Sequence, residues 1–324
     1  MRIFTDQGSA PLAADRPVVT LGVFDGLHRG HQAIIDVLTR LAQERGAPSL
    51  ALTFTVHPRT VLGRSAPPLI ASLEKRLELF RQAGLDAVWL LDPNREFFRL
   101  SAHAFAQSFF RERLRVGGVV LGDGARFGRA RGGSVEELKT WGAAWEIPIV
   151  STPAFCLEGV RVSSTAVRLA VQAGDLARAS RFLGRAVAVT GTVVHGQGLA
   201  RAYGFPTLNL DPHHELRPPP GVYRTRTRTR GELHASLTNV GRPPTDAEIA
   251  SGLGDLMIET HLLDYDADLY GEVAEILFLE KIREVERFAS PTELIRQVGL
   301  DLAEARRRFA AETQTPSEEG KAEK

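Results

Sequence analysis

The hydrophobic rhythm of the chain changes once, near residues 183–185, and that change limits it to two differently built domains. From residue 18 to about residue 180, short apolar runs alternate with helical periodicity, the pattern of strands joined by crossover helices around a mainly parallel sheet. Strands are expected at 18–24, 49–54, 87–91, 119–121 and 147–150, and helices at about 31–45, 73–83 and 101–114, with one more opened by the capping box of Ser134 and Glu137. Beyond the change, strand-like runs at 186–194, 221–229, 233–240, 257–263 and 273–278 are separated by Gly, Pro and Asn turns, which describes an antiparallel barrel or sandwich. Ser290-Pro291-Thr292-Glu293 opens a last amphipathic helix to about Phe309, and residues 313–324 read as a polar, disordered tail. The domains are therefore expected at 1–184 and 185–312, and 324 residues are enough for two cores.

Forty basic and thirty-nine acidic residues leave a formal charge of +1, so no global field draws the chain to nucleic acid or to an anionic membrane. Any anion it binds must be held locally. Cys156 is the only cysteine, which excludes an intramolecular disulfide and argues for a cytoplasmic address. The N-terminus lacks the apolar stretch of a signal peptide, and no later run is long enough to cross a bilayer. Arg224, Arg226, Arg228 and Arg230 alternate with threonines along one face of a strand. They read either as a nucleic-acid stripe or as a charged face guarding a strand against edge pairing, and the neutral balance favours the second. The sequence sets no oligomeric state.

The decapeptide Gly22-Val23-Phe24-Asp25-Gly26-Leu27-His28-Arg29-Gly30-His31 stands where the first strand gives way to the first helix. Amides at a helix N-terminus are unpaired donors, and glycines let a phosphate approach that backbone. His28 and His31 are three residues apart, so both imidazoles can reach one anion, which suits stabilisation of a nucleotidyl-transfer transition state. Zinc binding, or turn glycines with one capping histidine, remain as other readings. Val162-Ser163-Ser164-Thr165-Ala166-Val167-Arg168 offers hydroxyls, free amides and a permanent cation at a second helix start.

In the second half, the glycine-rich stretch 191–209 reads as a binding loop that lacks the Walker ending. Thr207 and Asn209 carry hard oxygens of the type Mg²⁺ accepts beside nucleotide phosphates, with a plain turn as the alternative. Period two places Met257, Glu259, His261 and Leu263 on one face of a strand, so Glu259 is expected to be partly buried, as a general base or in an ion pair.

The G-x-F-D-G-x-H-x-G-H run followed by S-S-T-x-V-R resembles the adenylyltransferase half of the bacterial bifunctional riboflavin kinase/FAD synthetases. The set Gly204-Phe205-Pro206-Thr207-Leu208-Asn209, Thr238-Asn239-Val240-Gly241-Arg242-Pro243-Pro244-Thr245 and Glu259-Thr260-His261-Leu262-Leu263-Asp264 through Asp268-Leu269-Tyr270-Gly271 resembles its kinase half. The resemblance implies an α/β, Rossmann-like nucleotidyltransferase domain followed by an all-β, six-stranded riboflavin-kinase-type barrel with a C-terminal helix. It implies that riboflavin is phosphorylated by Mg²⁺-ATP to FMN, and FMN adenylylated to FAD. By carry-over, His28 and His31 act on the ATP phosphates, with Gly22, Phe24, Asp25, Gly26, Gly30, Ser164, Thr165 and Arg168 around the nucleotide. In the kinase half Gly196, Arg201, Thr207 and Asn209 bind Mg²⁺-ATP, and Glu259 takes the proton from the riboflavin hydroxyl. The flavin is expected at His57, Pro58, Phe127 and Asn239.

The chain departs from that family at Gly122-Asp123-Gly124-Ala125-Arg126-Phe127-Gly128, where Gly124 and Ala125 replace a polar and an aromatic residue, and at Ala200, where a glycine is usual. The first departure leaves, as an alternative, a kinase carrying a weakened or inactive adenylyltransferase. A rival of another class is a non-catalytic flavin or nucleotide sensor that binds RNA through the arginine strand.

Overall fold

The computed structural model describes residues 1–5, 15–63, 65–94, 96–196, 203–241, 257–265 and 267–314. Its contacts group residues up to Arg168, with Phe182–Gly184, into one unit, and Leu169–Arg181 with the residues from Arg185 onwards into a second.

The first unit is built on six parallel strands, β1 (Arg2–Thr5), β2 (Val18–Leu21), β3 (Ser49–Phe54), β4 (Ala87–Leu91), β5 (Gly118–Gly122) and β6 (Ile149–Thr152), in the spatial order β1-β4-β3-β2-β5-β6. Alternate strand residues feed two cores: Val19, Leu50, Leu52 and Trp89 enter one, and Val18, Ala51, Val88 and Val120 the other. A sheet covered on both faces needs such unbroken apolar runs, which is why these strands were legible. The unit's helices are α1 (Arg29–Glu44), α2 (Pro58–Val61), α3 (Leu73–Gln82), α4 (Ala102–Ala106), α5 (Val135–Ala144) and the first part of α6 (Ser164–Gln172), whereas the rest of α6 and most of α7 (Leu176–Leu183) group with the second unit. A π-helical stretch, Gln107–Arg113, prolongs α4. Both halves of the Ser134/Glu137 capping box are formed.

Three differences from the sequence expectation stand out. β2 ends at Leu21 rather than at residue 24, because Phe24 adopts a left-handed conformation and opens a 3₁₀ turn, Asp25–Leu27. The edge strand β1 was missed, since Arg2 and Thr5 face solvent and no apolar run announces it. The short hairpin of β7 (Cys156–Leu157) and β8 (Val160–Arg161) was missed as well.

The second unit holds β9 (Val187–Val194), β10 (Leu208–Pro212), β11 (Gly221–Thr229), β12 (Glu232–Gly241), β13 (Met257–Leu262) and β14 (Val273–Arg283). They close a barrel in the order β10-β13-β12-β11-β14-β9. β10 had been absorbed into the expected binding loop. Thr225, Thr227, Ser236, Thr238 and Thr260 are fully buried and hydrogen-bond one another at 2.7–2.9 Å, so the interior tolerates hydroxyls that satisfy each other.

β11 is paired on both sides, with β12 and β14, so its arginines guard no edge. That expectation is corrected: Arg224 meets Glu280 at 2.5 Å, Arg226 meets Glu312 at 3.2 Å, Arg228 meets Glu275 at 3.4 Å and Arg230 meets Glu272 at 3.1 Å. The C-terminal helix α8 (Pro291–Gln314) supplies Glu312 and lays Phe309 under Arg224 and Arg226. It runs beyond Phe309 and takes in Thr313 and Gln314, which the sequence had assigned to the tail; residues 315–324 lie outside the described ones. Its Ser290 hydroxyl accepts from the Glu293 amide at 3.3 Å, while Glu293 reaches back to the Ala289 amide at 3.0 Å, one residue earlier than a regular capping box.

Candidate active sites

At the carboxyl end of β2 the chain turns on glycines for steric reasons. Gly26 has φ +76°, and a Cβ there would stand 2.6 Å from Ile70 Cγ2; a Cβ on Gly30 would press on His28 Nδ1 and the Val162 carbonyl, both at 3.2 Å. His28 is the N-cap of α1, its Nδ1 accepting the His31 amide at 3.3 Å, which assigns the ring proton to Nε2. The His28 and His31 rings stack with centroids 3.7 Å apart and 17° between planes. Beneath them Phe24, buried, meets His31 edge-on at 5.1 Å and Phe80 at 5.4 Å, so its ring props the imidazoles instead of facing a ligand.

His31 Nδ1 is buried without a hydrogen-bond partner among the described residues. Burial first, and His28 second, hold its pKa well below the usual 6.5, so the ring is neutral around pH 7. The unfolded chain takes up this proton near pH 6.5 and the folded chain only at lower pH. This stability is therefore complete above pH 6.5 and lost as pH falls below it. His57, also depressed by burial and by Arg168, Arg59 and Arg76, contributes with the same sign. Thermal melts between pH 5 and 8 are expected to show Tm falling below pH 6.5, with a shallower fall in His31→Gln; an equal slope in that variant would contradict the neutral ring.

Around this element Ser164 donates its hydroxyl to the Asp25 carbonyl at 3.1 Å, Ser163 caps α6 through the Ala166 amide at 3.2 Å, and Thr165 is exposed at the first turn. His57 caps α2 by accepting the Arg59 amide at 3.2 Å, with Pro58 at the first helical position. The Asp25 carboxylate is buried against the Arg168 guanidinium, which also donates from Nε to the Pro68 carbonyl at 2.7 Å. Phe127, expected at the flavin, is buried in the core between Phe105 and Trp141, its backbone bridged to Gly133. Ala125 packs on the same core, and Asp123 pairs with Arg161 at 3.4 Å across Gly124, where a Cβ would lie 2.8 Å from the guanidinium.

Sequence reasoning missed Arg76. Its buried guanidinium bridges the ends of β2 and β3, donating to the Val23 carbonyl at 2.9 Å and the Phe54 carbonyl at 3.1 Å. The signal was present: Arg76 sits three residues after Leu73 and four before Phe80, on the apolar face of α3.

In the barrel, β10, β13 and β12 are adjacent, and their register sets Asn209 opposite Glu259 and Glu259 opposite Asn239. The three form a row across the barrel's outer wall, while Thr260, the next residue, points inside to Thr238 at 2.9 Å. Asn209, Glu259, Asn239, Thr207 and Gly196 line a cavity of about 780 Å³, whose far side includes Phe288 and the start of α8. Asn209 Oδ1 is buried and without a partner among the described residues, and a Cβ on Gly196 would collide with the Asn209 amide group.

His261 donates Nδ1–H to the Pro206 carbonyl at 2.8 Å and so pins the segment carrying Thr207 against β13, a role that its place on the Glu259 face could have suggested. On the opposite wall Arg283 holds Asp301 of α8 through bonds of 2.7 and 3.0 Å, and Gln297 adds a bond of 2.9 Å to the same carboxylate. Arg201, Ala200 and the 242–245 part of the second motif lie outside the described residues. Among the described residues, no group of three or more His, Cys, Asp or Glu side chains could hold a metal.

The FAD synthetase family model matches residues 11–166 and the riboflavin kinase model residues 183–309. The chain is 37% identical over 294 residues to the bifunctional riboflavin kinase/FMN adenylyltransferase of Escherichia coli (strain K12), covering 90% of this chain and 92% of that protein. The protein of that name from Bacillus subtilis (strain 168) is 30% identical, covering 91% and 93%. This chain belongs to the bifunctional riboflavin kinase/FMN adenylyltransferase family. It carries both an FAD synthetase and a riboflavin kinase domain, and nothing favours the alternative in which one is inactive. A solved structure called a macrolide-efflux protein, from Streptococcus pneumoniae, superposes with TM-score 0.82 at 25% identity over 94% of this chain and 99% of that one. Among the described residues of this family member, no helix is long and apolar enough to cross a membrane.

Proposed function

We propose that each of the two chemical steps has its own pocket in this chain, with the kinase at the Asn209–Glu259–Asn239 row and the adenylyltransferase at the His28/His31 element. We place the adenylyltransferase in residues 1–184 and the kinase in 185–312, and take the protein to be cytoplasmic, with small molecules and not nucleic acid as its partners.

In the kinase reading, Glu259 takes the proton from the 5′-hydroxyl of riboflavin, and that oxygen attacks the γ-phosphorus of ATP as ADP leaves. Thr207 and Asn209 turn hard neutral oxygens toward the nucleotide, and the partnerless Asn209 Oδ1 is the observation that fits a cation there. Magnesium bound with the nucleotide would supply positive charge to the phosphate oxygens. Asn239 borders the flavin side of Glu259.

In the adenylyl reading, a phosphate oxygen of FMN attacks the α-phosphorus of ATP and pyrophosphate leaves. The Nε2–H of His28, at the start of α1, is a donor for the charge that develops. Thr165 adds a hydroxyl from the start of α6, which Ser164 ties to the Asp25 carbonyl.

The observation that carries the kinase assignment is the register that sets a carboxylate between two amides in a cavity large enough for a nucleotide and a flavin. Titration calorimetry with ADP and Mg²⁺ tests it. Asn209→Ala is expected to weaken binding about tenfold, the loss of roughly 1.4 kcal/mol, and unchanged affinity would remove Asn209 from the site.

A further inference from the structure

Arg168 was expected beside the nucleotide, yet two of its donors are turned to the protein. Nε donates to the Pro68 carbonyl at 2.7 Å, a terminal nitrogen is bonded to the Asp25 carboxylate, and the side chain is only 11% exposed. Asp25 is 2% exposed and accepts the Ile70 amide at 3.0 Å and the Ala71 amide at 3.3 Å. Ser164 closes the circle by donating to the Asp25 carbonyl at 3.1 Å.

One buried ion pair therefore joins three stretches distant in sequence. These are the 3₁₀ turn that leads into His28, the 68–71 segment against which Gly26 packs, and the first turn of α6, which carries Ser164 and Thr165.

We propose that Arg168 is a positioning residue of the adenylyl site, acting through Asp25 to hold the histidine turn and the start of α6 in register, and is not a phosphate ligand. This inference rests on the assignment of the His28/His31 element to adenylyl transfer. Two considerations support it. The guanidinium is only 11% exposed and holds the Pro68 carbonyl with Nε and the Asp25 carboxylate with one terminal nitrogen, so drawing it to a phosphate would break both bonds and strand the buried Asp25. Removing either partner has one shared consequence. Without Arg168 the buried carboxylate is driven toward its neutral form and accepts the two amides less well; without the carboxylate the arginine loses its anchor and the amides of residues 70 and 71 lose their acceptor. Arg76 is the other cation near Asp25, but its terminal nitrogens donate to the Val23 and Phe54 carbonyls.

The test is a double-mutant cycle on the full chain with Asp25→Asn, Arg168→Gln and the two together, assayed with FMN and ATP, with pyrophosphate as inhibitor, and by hydrogen exchange over residues 68–71. Each single change is expected to lower the kcat of FAD formation about 10- to 100-fold. The KM for ATP and the inhibition constant for pyrophosphate should stay within about threefold, the double variant should be no worse than the poorer single one, and exchange at 70–71 should rise in all three. A rise of about tenfold or more in the ATP KM and the pyrophosphate constant for Arg168→Gln alone, with Asp25→Asn leaving both unchanged, would overturn the inference and restore Arg168 as a ligand. If Arg168→Gln unfolds the first unit, Arg168→Lys, which keeps the charge but cannot span Pro68 and Asp25 together, carries the same comparison. His28→Asn separates the two levels: full FAD formation in that variant removes the site itself, whereas its loss, together with ligand-like behaviour of Arg168, removes only the positioning role.

Discussion

Glu259→Gln is expected to lower riboflavin phosphorylation by about 10²–10⁴-fold while FAD formation from supplied FMN stays at the level of the unaltered chain. Glutamine has nearly the shape of glutamate and keeps its place between Asn209 and Asn239, so the cavity should survive. What disappears is the only carboxylate in that row, and with it the acceptor for the hydroxyl proton. The loss should fall on kcat, with the ADP affinity measured by calorimetry little changed, because the proposal gives the nucleotide to Thr207 and Asn209. Retention of full FMN formation would remove the proposed base.

The second large effect is at His28, which has two separable duties. Its Nδ1 caps α1, and its Nε2–H is the donor proposed for the phosphates. Alanine removes both, at a cost of about 1 kcal/mol in stability for the cap alone. Asparagine restores a capping acceptor without the ring donor. His28→Asn is therefore expected to keep most of the stability and still lose about 10²–10³-fold in FAD formation, with FMN formation from riboflavin largely unaffected. Chromatographic rates with FMN and ATP, beside melting curves, check both parts. An unchanged FAD rate would refute the assigned role.

The parts of this design that were legible in the sequence are those written in neighbouring residues. The glycine turn and the histidines at helical spacing lie within ten residues, and the turn, the cap and the stacked rings all follow from that local order. Period two placed Glu259 on the cavity face of β13 and Thr260 on the opposite one. What was missed depends on residues brought together from afar. Nothing local tells that Asp25 meets Arg168, 143 residues away, or that Arg76 spans two strand ends. Phe127 carries the right motif letter and still turns into the core, since a motif does not state which way a ring points. The Arg-Thr alternation of β11 was plain, but its inner face was not: Thr225 and Thr227 look polar until the Ser236 and Thr238 hydroxyls of β12 satisfy them. β10 was hidden because Gly and Pro around it mimic a loop, although its register with β13 is what aligns Asn209 with Glu259.

The central claim, two activities in two separate pockets of one chain, is tested most directly by mixing two inactivated proteins. Glu259→Gln and His28→Asn, each given excess riboflavin, ATP and Mg²⁺, should form no FAD alone, and the second should accumulate FMN. An equimolar mixture is expected to restore FAD, because FMN released by the intact kinase pocket of one chain serves the intact adenylyl pocket of the other. FMN accumulating in the mixture with no FAD, or either substitution abolishing both steps at once, would contradict two independent sites.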